Sequence, residues 1–239
     1  MPQANQTAHT TRTATTETKT QSAIRRHRSV FSNRVKSAAD LLPSEDVIKK
    51  SSNAKLGRRI SKGRWKGMPL FTVTLEERAT CPISCQHWKD CYGNHLHLAT
   101  RYDADENLIP RIKLELAQLA AKYPNGFSIR LHVLGDFYST EYVAMWADAL
   151  NTYPNLHVWG YTARIDTGDD IATALSAIDN PRWQVRNSGL AGDMGALSED
   201  HPDIPATAFV CPQQTAKTKE CGTCGACWST TRSVVFLNH

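Results

Sequence analysis

The stretch FSIRLHVLGDFYSTEYVAMWADALNTYPNLHVWGYTA, residues 127–163, contains two strand patterns separated by one helix pattern. Residues 127–136 are almost continuously apolar, as in strands of a parallel sheet that are buried on both faces. A second strand pattern occupies residues 156–163. The helix pattern between them begins after Ser139, a good N-terminal cap, and carries an apolar stripe. This stripe consists of Tyr142, Trp146, Ala149 and Leu150. The stretch predicts a β-α-β unit with a right-handed crossover.

The same alternation continues on both sides of this unit. Further strand patterns lie at residues 69–75, 182–189, 207–212 and 233–238, and further helix patterns at 107–124 and 169–178. In the first of these helices, the apolar positions Ile109, Ile112, Leu116 and Leu119 fall on one face. Strands that alternate with helical connections indicate a parallel sheet. The sequence therefore predicts an α/β fold, either a partial (β/α) barrel or an open, mostly parallel sheet.

The N-terminal quarter of the chain differs in composition from the rest. Residues 1–66 contain 15 Lys or Arg against 4 Asp or Glu, whereas residues 67–239 contain 13 against 19. Eight threonines fall within the first twenty positions, which hold few residues that could be buried. We therefore divide the chain into a disordered low-complexity tail (1–40), a basic linker (41–66), the α/β core (67–205) and a Cys-rich C-terminal segment that closes the core (206–239).

Several classes of protein are disfavoured by what the sequence does not contain. No run of about 18 or more apolar residues is present, so no membrane span is predicted. The N-terminus lacks the apolar middle of a secretory signal, and seven cysteines cannot all pair in disulfides, so we expect a reducing, cytoplasmic environment. An organelle import peptide is the alternative for the Thr- and Arg-rich N-terminus. Walker, GxGxxG, HExxH and GxSxG motifs are absent.

Three cysteines follow the first core strand in TCPISCQHWKDCYGN, residues 80–94. Cys81, Cys85 and Cys91 have the spacing Cys-x3-Cys-x5-Cys. Three thiolates suit an iron–sulfur cluster in which one iron remains open to another ligand. Zinc bound by three cysteines and one histidine is the alternative. The histidines near enough to complete such a zinc site are His87, His95 and His97.

Four more cysteines lie near the C-terminus, at Cys211, Cys221, Cys224 and Cys227. Three of them are separated by two residues each, as in bacterial ferredoxins, and the intervening glycines allow tight bends between ligands. Four thiolates can close a cluster completely. The sequence therefore predicts one or two four-iron, four-sulfur clusters in the chain, with zinc as the alternative metal.

A Cys-x3-Cys pair with a nearby third cysteine, after the first strand of an α/β core, resembles the radical S-adenosylmethionine (SAM) superfamily. In that superfamily the third cysteine usually follows after two residues, whereas Cys91 follows Cys85 after five. The resemblance implies SAM as a cofactor. It also implies an enzyme that generates a 5′-deoxyadenosyl radical to attack a substrate the sequence does not identify, with an electron donor protein as partner.

The same resemblance implies two groups of cofactor contacts. The turn LGDF, with Gly135 and Asp136, occupies the position that contacts the amino group of the methionine moiety. VRNSG, residues 185–189, occupies the position that contacts the ribose. The residues implied there are Arg186, Asn187 and Ser188.

A closer similarity is to the gene-product-88-like family of phage and plasmid proteins. It covers residues 55–239 and is carried by KLGRRISKGRWKGMPLFTVTLEERATCP, CYGN, LHVLGDFYSTEYV, HVWGYTAR and CGTCGACW. The similarity implies a protein of a phage or mobile element and no particular chemistry.

The basic residues support an alternative function. They cluster in IRRHRS (24–29), IKK (48–50) and KLGRRISKGRWKG (55–67), and Trp65 is the one aromatic residue among them. Such a segment is either a solvated, partly disordered tail or a nucleic-acid-binding arm. The alternative to an enzyme is therefore a non-catalytic zinc or iron–sulfur protein that contacts nucleic acid through residues 24–67.

Overall fold

The computed structural model describes residues 27–165 and 167–238 of the chain. Within them the strands are β1 (Val35–Lys36), β2 (Lys49–Lys50), β3 (Leu70–Thr72), β4 (Arg101–Tyr102), β5 (Phe127–Leu131), β6 (Leu156–Thr162), β7 (Trp183–Ser188), β8 (Gly195–Ser198), β9 (Phe209–Val210) and β10 (Val234–Phe236). The α-helices are α1 (Leu108–Lys122), α2 (Thr140–Thr152), α3 (Asp170–Ser176), α4 (Cys221–Cys224) and α5 (Ala226–Ser229). Short 3-10 helices lie at Ser32–Arg34, Ala38–Asp40 and Tyr92–His95.

The main sheet has eight strands in the order β2-β3-β5-β6-β7-β8-β10-β9. The edge strand β2 is antiparallel to β3, and the other neighbouring strands are parallel. β1 and β4 form a separate parallel pair. The sheet does not close into a barrel, because β2 and β9 are its two free edges. The predicted α/β fold with a mostly parallel sheet is therefore confirmed.

The predicted β-α-β unit is formed by β5, α2 and β6. The side-chain oxygen of Ser139 accepts a hydrogen bond from the backbone N–H of Tyr142 at 3.1 Å, so the predicted cap begins α2. The apolar stripe of α2 is buried throughout. It packs on Phe127, Ile129 and Leu131 of β5, whose side chains share one face of the sheet because strand residues alternate.

The helices α1, α2 and α3 all pack on that same face of the sheet. Burial of each large apolar side chain there contributes about 1.5–3 kcal/mol. Glu115 of α1 is a polar exception, since it is buried and accepts hydrogen bonds from the backbone N–H groups of Val47 and Ile48 at 2.9 and 2.7 Å. This contact ties the segment before β2 to the helical layer.

The opposite face of the sheet is covered by two non-contiguous parts of the chain instead of by long helices. Their shared apolar cluster consists of Leu56, Ile60, Trp65, Leu70, Trp159 and Trp228. The rings of Trp65 and Trp228 are stacked, with centroids 5.6 Å apart. Part of the basic segment and part of the Cys-rich segment are thus packed together on the face opposite the helices.

The described part of the N-terminal region is also packed against the core. Within the predicted linker (41–66), the side chains of Val47, Ile48 and Ile60 are at most 2% exposed. Residues 1–26, the larger part of the predicted disordered tail, lie outside the described residues. In the part of the chain that the structure describes, no helix has both the length and the apolar character needed to cross a membrane.

Candidate functional site

Loops that follow β3, β5 and β6 are bonded to one another at the C-terminal edge of the parallel strands. The hydroxyl of Thr80 accepts a hydrogen bond from the N–H of Asp136 at 3.1 Å. The Asp136 carboxylate accepts from the hydroxyl of Thr162 at 2.7 Å and from the N–H of Ala163 at 2.8 Å. Arg164 donates to the carbonyl of Thr80, the residue before Cys81, at 2.9 Å. Asp136 and Arg164 therefore fix where the first cysteine loop (80–94) begins.

The loop that follows β7 reaches the same place. The side-chain amide of Gln86 donates to the carbonyl of Gly189 at 3.4 Å. Gly189 has a φ of +80°, and a Cβ at this position would lie 2.8 Å from the Gln86 amide, so a glycine is required. The loops after four successive strands of the core thus meet at one edge, as parallel-sheet topology predicts.

Cys81, Cys85 and Cys91 are residues of intermediate exposure in the first cysteine loop. Burial raises the pKa of all three thiols. Asp136, Cys85 and Cys91 each raise the pKa of Cys81 further, and Asp136 and Cys91 do the same for Cys85. Asp136 therefore acts on the pKa of Cys81 and of Cys85, whereas the charged groups that act on Cys91 are Arg78, Glu77 and Arg101.

Gly135 and Asp136, the predicted contacts of the methionine moiety, lie beside this loop. Gly135 has a φ of +81°, and a Cβ would lie 2.6 Å from the Thr80 hydroxyl and 2.7 Å from the Cβ of Leu75. Asp136 is only 4% exposed, and burial raises the pKa of its carboxyl although three hydrogen bonds from Ala163, Thr162 and Phe137 oppose the shift. Their contact with a cofactor stays a prediction.

Arg186 points to a different part of the molecule, the Cys-rich segment (206–239). Its buried guanidinium donates to the carbonyls of Cys227 at 2.9 Å, Arg232 at 2.8 Å and Thr230, and to Gly195 on β8 at 3.3 Å. These bonds attach the Cys-rich segment to β7 and β8. Contact between Arg186 and a ribose stays untested.

Asn187 and Ser188 end β7 and are partly exposed, next to Gly189. They therefore lie at the strand end that approaches the first cysteine loop. Their contact with a ribose also stays a prediction.

The second group of cysteines lies on the face of the sheet opposite the helices. The hydroxyl of Tyr161 on β6 donates to the sulfur of Cys227 at 3.0 Å. Burial raises the pKa of Cys221 to about 12, and the neighbouring Cys227 adds to this shift while Arg130 opposes it. Cys211, which follows β9, and Cys224 also raise the pKa of Cys221 and of Cys227. The four thiols of this group therefore interact with one another as well.

The donor atoms match an iron–sulfur protein in kind and number, with three thiols in one group and four in the other. All seven cysteines are free thiols. Residues 27–165 and 167–238 contain no group of at least three Cys, His, Asp or Glu side chains that is arranged to hold a metal ion. The same finding applies to the zinc alternative, because none of His87, His95 and His97 joins the first thiols in such a group.

A buried ion pair supports the end of the first cysteine loop, and the sequence analysis did not predict it. Glu77, 1% exposed at its side chain, accepts from Arg101 at 2.6 Å, and Arg101 is fully buried. Arg101 also donates to backbone carbonyls of the segment that follows Cys91, at Gly93, Leu96 and Ala99. The one sequence signal was the pair of glutamates directly after a buried strand, in TLEERATC.

The N-terminal residues 27–31 lie along the same loop. Arg28 and the backbone N–H of Ser29 donate to Glu76 at 2.8 and 2.9 Å, and the Ser29 hydroxyl donates to Glu77 at 2.6 Å. The ring of His27 lies 5.2 Å from that of Trp88. These contacts cover one side of the first cysteine loop with the N-terminal segment.

These features define a class of protein: an open α/β sheet with one cysteine loop at the C-terminal edge of its strands and a second cysteine group on the face opposite its helices. The chain belongs to the Gene product 88 family, whose sequence model matches residues 47–222. The matched range begins earlier than the predicted similarity at residue 55. It ends before Cys224 and Cys227.

Two phage proteins are among the relatives. The Gene 88 protein of Mycobacterium phage L5 is 29% identical over 128 residues, which are 45% of this chain and 53% of the phage protein. The Gene 88 protein of Mycobacterium phage D29 is 28% identical over 129 residues, with the same coverage. The chain therefore spans about half the length of the curated relatives it matches. No solved structure matches.

Proposed function

We propose that this phage-related protein is an iron–sulfur enzyme of the radical SAM-like type. In this proposal Cys81, Cys85 and Cys91 bind a four-iron cluster with one open iron, and the second cysteine group binds a closed one. The observation that carries the proposal is that the loops after four successive strands meet at the first cysteine loop, where hydrogen bonds at Thr80 and Gln86 connect them. Active sites of parallel α/β folds lie at this edge.

The residues of the chain have separate tasks in this proposal. Cys81, Cys85 and Cys91 would hold the cluster through their thiolates, and a reduced cluster bound there would supply the single electron that reductive cleavage of the SAM carbon–sulfur bond requires. Gly135 leaves room for the turn against the cysteine loop. The carboxylate of Asp136 is buried and accepts three hydrogen bonds, so it would have to become accessible to contact the methionine amine. Asn187 and Ser188 would contact the ribose from the end of β7.

The remaining contacts set the surroundings of the site. Residues 27–31 and the Glu77–Arg101 ion pair hold the loop in place from one side. The protein would work in the cytoplasm, where thiols stay reduced and a donor protein can supply the electron.

The test is the cleavage of SAM by anaerobically purified protein that has been reduced with dithionite. We expect 5′-deoxyadenosine to form, and Cys85→Ala to lower its formation to the level without protein, because the cluster loses one of three ligands. Ser84→Ala, a change at an exposed residue of the same loop, is the matched control and should keep full activity. Equal product from Cys85→Ala and the wild type would refute the proposal.

A different result would favour the non-catalytic alternative. Zinc without sulfide in the purified protein, together with intact SAM, would mean that the cysteines stabilise the fold. The function to test next would then be nucleic-acid binding through residues 24–67.

A further inference from the structure

The basic segment at residues 55–66, here called the basic strip, is a folded element. The N–H of Ile60 donates to the carbonyl of Met68 at 2.9 Å, and the N–H of Leu70 donates to the carbonyl of Arg58 at 3.0 Å. Arg59 and Pro69 pair as an antiparallel bridge. The strip therefore forms one arm of a hairpin and most of its connecting loop.

The strip is attached to the Cys-rich segment through its backbone. The N–H groups of Cys221 and Gly222 donate to the carbonyls of Lys55 and Leu56 at 2.8 and 3.0 Å, and Ser61 donates back to Gly222 at 2.9 Å. A Cβ at Gly222 would lie 2.4 Å from the carbonyl oxygen of Arg59, so the two segments pack without a gap. This packing fixes the strip in one place on the surface.

All the charged side chains of the strip are cations, and all of them are exposed. They are Lys55, Arg58, Arg59, Lys62, Arg64 and Lys66. Arg59 and Arg64 donate to carbonyls of neighbouring backbone. The other four form no ion pair with any described residue. The apolar residues of the strip, Leu56, Ile60 and Trp65, point inward and are at most 7% exposed.

We propose that the basic strip binds the phosphate backbone of duplex nucleic acid without regard to sequence. Cations held on a fixed element bind phosphates with little loss of conformational entropy, and they release counterions on binding. Single-stranded sites add exposed aromatic rings on which bases stack. The one aromatic residue of the strip, Trp65, is 2% exposed and stacked on Trp228, so the strip offers no such ring. The strip has neither a helix that could read bases nor an exposed ring on which bases could stack. Its cations can therefore contact only the phosphate backbone of the nucleic acid.

This inference is independent of the proposed enzyme function, because it needs no bound metal. The experiment measures fluorescence anisotropy of a labelled, mixed-sequence DNA duplex with the full chain between about 50 and 200 mM salt. With about four phosphates contacted, we expect log K to fall with log salt at a slope of about −3.5.

The double variant Lys62→Gln/Lys66→Gln should make this slope shallower by about 2 and weaken binding at least tenfold at the lowest salt. The matched control is Lys113→Gln/Lys122→Gln, which removes the same charge from exposed positions of α1 and should bind as the wild type does. Unchanged circular dichroism in both variants confirms that they fold.

Three results would overturn the proposal. The first is an absence of binding to the duplex at the lowest salt. The second is a loss of binding that does not depend on the strip, seen either as equal loss in the two double variants or as loss in the full-chain variant Arg25→Gln/Arg26→Gln with none in Lys62→Gln/Lys66→Gln. The third is tighter binding to a single strand of the same sequence than to the duplex.

Discussion

The two cysteine groups are held by the fold in different ways. The first lies in a loop at the C-terminal edge of the parallel strands, although its cysteines have the same intermediate exposure as Cys221, Cys224 and Cys227. It is supported by the ion pair Glu77–Arg101 and residues 27–31, and it is bonded to the ends of neighbouring strands through Thr80 and Gln86. The second group is packed on a face of the sheet, bonded by Tyr161 and Arg186 and flanked by tryptophans.

The two locations suit two different kinds of metal centre, one closed and one open to a further ligand. A group packed on a face of the sheet suits a closed centre, since nothing has to enter or leave. A group at an open edge, next to the ends of four strands, leaves room for another ligand. The division into an open first cluster and a closed second one stays a prediction, and the different locations of the two groups are the reason to test it.

The largest expected effect comes from removing the attachment of the second group. Arg186→Met leaves four backbone carbonyls without their donor, and we expect the free energy of unfolding to fall by about 3–5 kcal/mol. Thermal and urea unfolding measure this. The control Arg34→Met, at an exposed arginine, should change stability by less than about 0.5 kcal/mol. If Arg186→Met behaves like its control, the Cys-rich segment is not held by these bonds.

A smaller and more local effect is expected at the first group. Glu77→Gln leaves Arg101 as a buried charge without its partner, at a cost of about 2–3 kcal/mol, because the amide can still accept one hydrogen bond. Hydrogen exchange should become faster at residues 91–99, whose carbonyls Arg101 binds, and stay unchanged in β6 and β7. Glu106→Gln, at an exposed position before α1, is the control. Faster exchange throughout the sheet would show that the ion pair supports the whole fold and not this loop.

The smallest expected effect is a loss of stability at low pH caused by His132, which directly follows β5 of the shared sheet. His132 is 4% exposed, and burial lowers its pKa to about 3, with Arg130 contributing. In the unfolded chain its pKa is about 6.5, so between these values the unfolded state binds more protons and stability falls as pH falls. From pH 7 to pH 5 this histidine should cost about 2 kcal/mol of stability.

Urea unfolding of the wild type and of His132→Gln at both pH values measures this contribution. The variant, which keeps a polar partner for Tyr142, should lose about 2 kcal/mol less than the wild type between pH 7 and pH 5. An equal loss in both proteins would mean that His132 does not titrate in this way.

The sequence predicted the elements that depend on local patterns. Ser139 caps α2, the stripe from Tyr142 to Leu150 is buried, and the loops after the strands meet at one edge, because period and topology decide these features. The strand predicted at residues 69–75 is Leu70–Thr72, and Leu75 pairs separately with Tyr102.

Contacts between distant residues could not be predicted in the same way. Glu77 and Arg101 are 24 positions apart, and Arg186 binds carbonyls up to 46 positions away, which no periodicity encodes. The basic segment looked like a linker because its charge dominates its composition. Its few apolar residues, such as Ile60 and Trp65, follow no regular spacing, although they are fully buried.

The most direct test of the account is the amount of iron, acid-labile sulfide and zinc per chain after anaerobic purification. Two four-iron clusters predict about eight irons with matching sulfide in the wild type, and about four in Cys227→Ala and in Cys85→Ala. One or two zinc ions per chain without sulfide would contradict the account and identify both cysteine groups as structural.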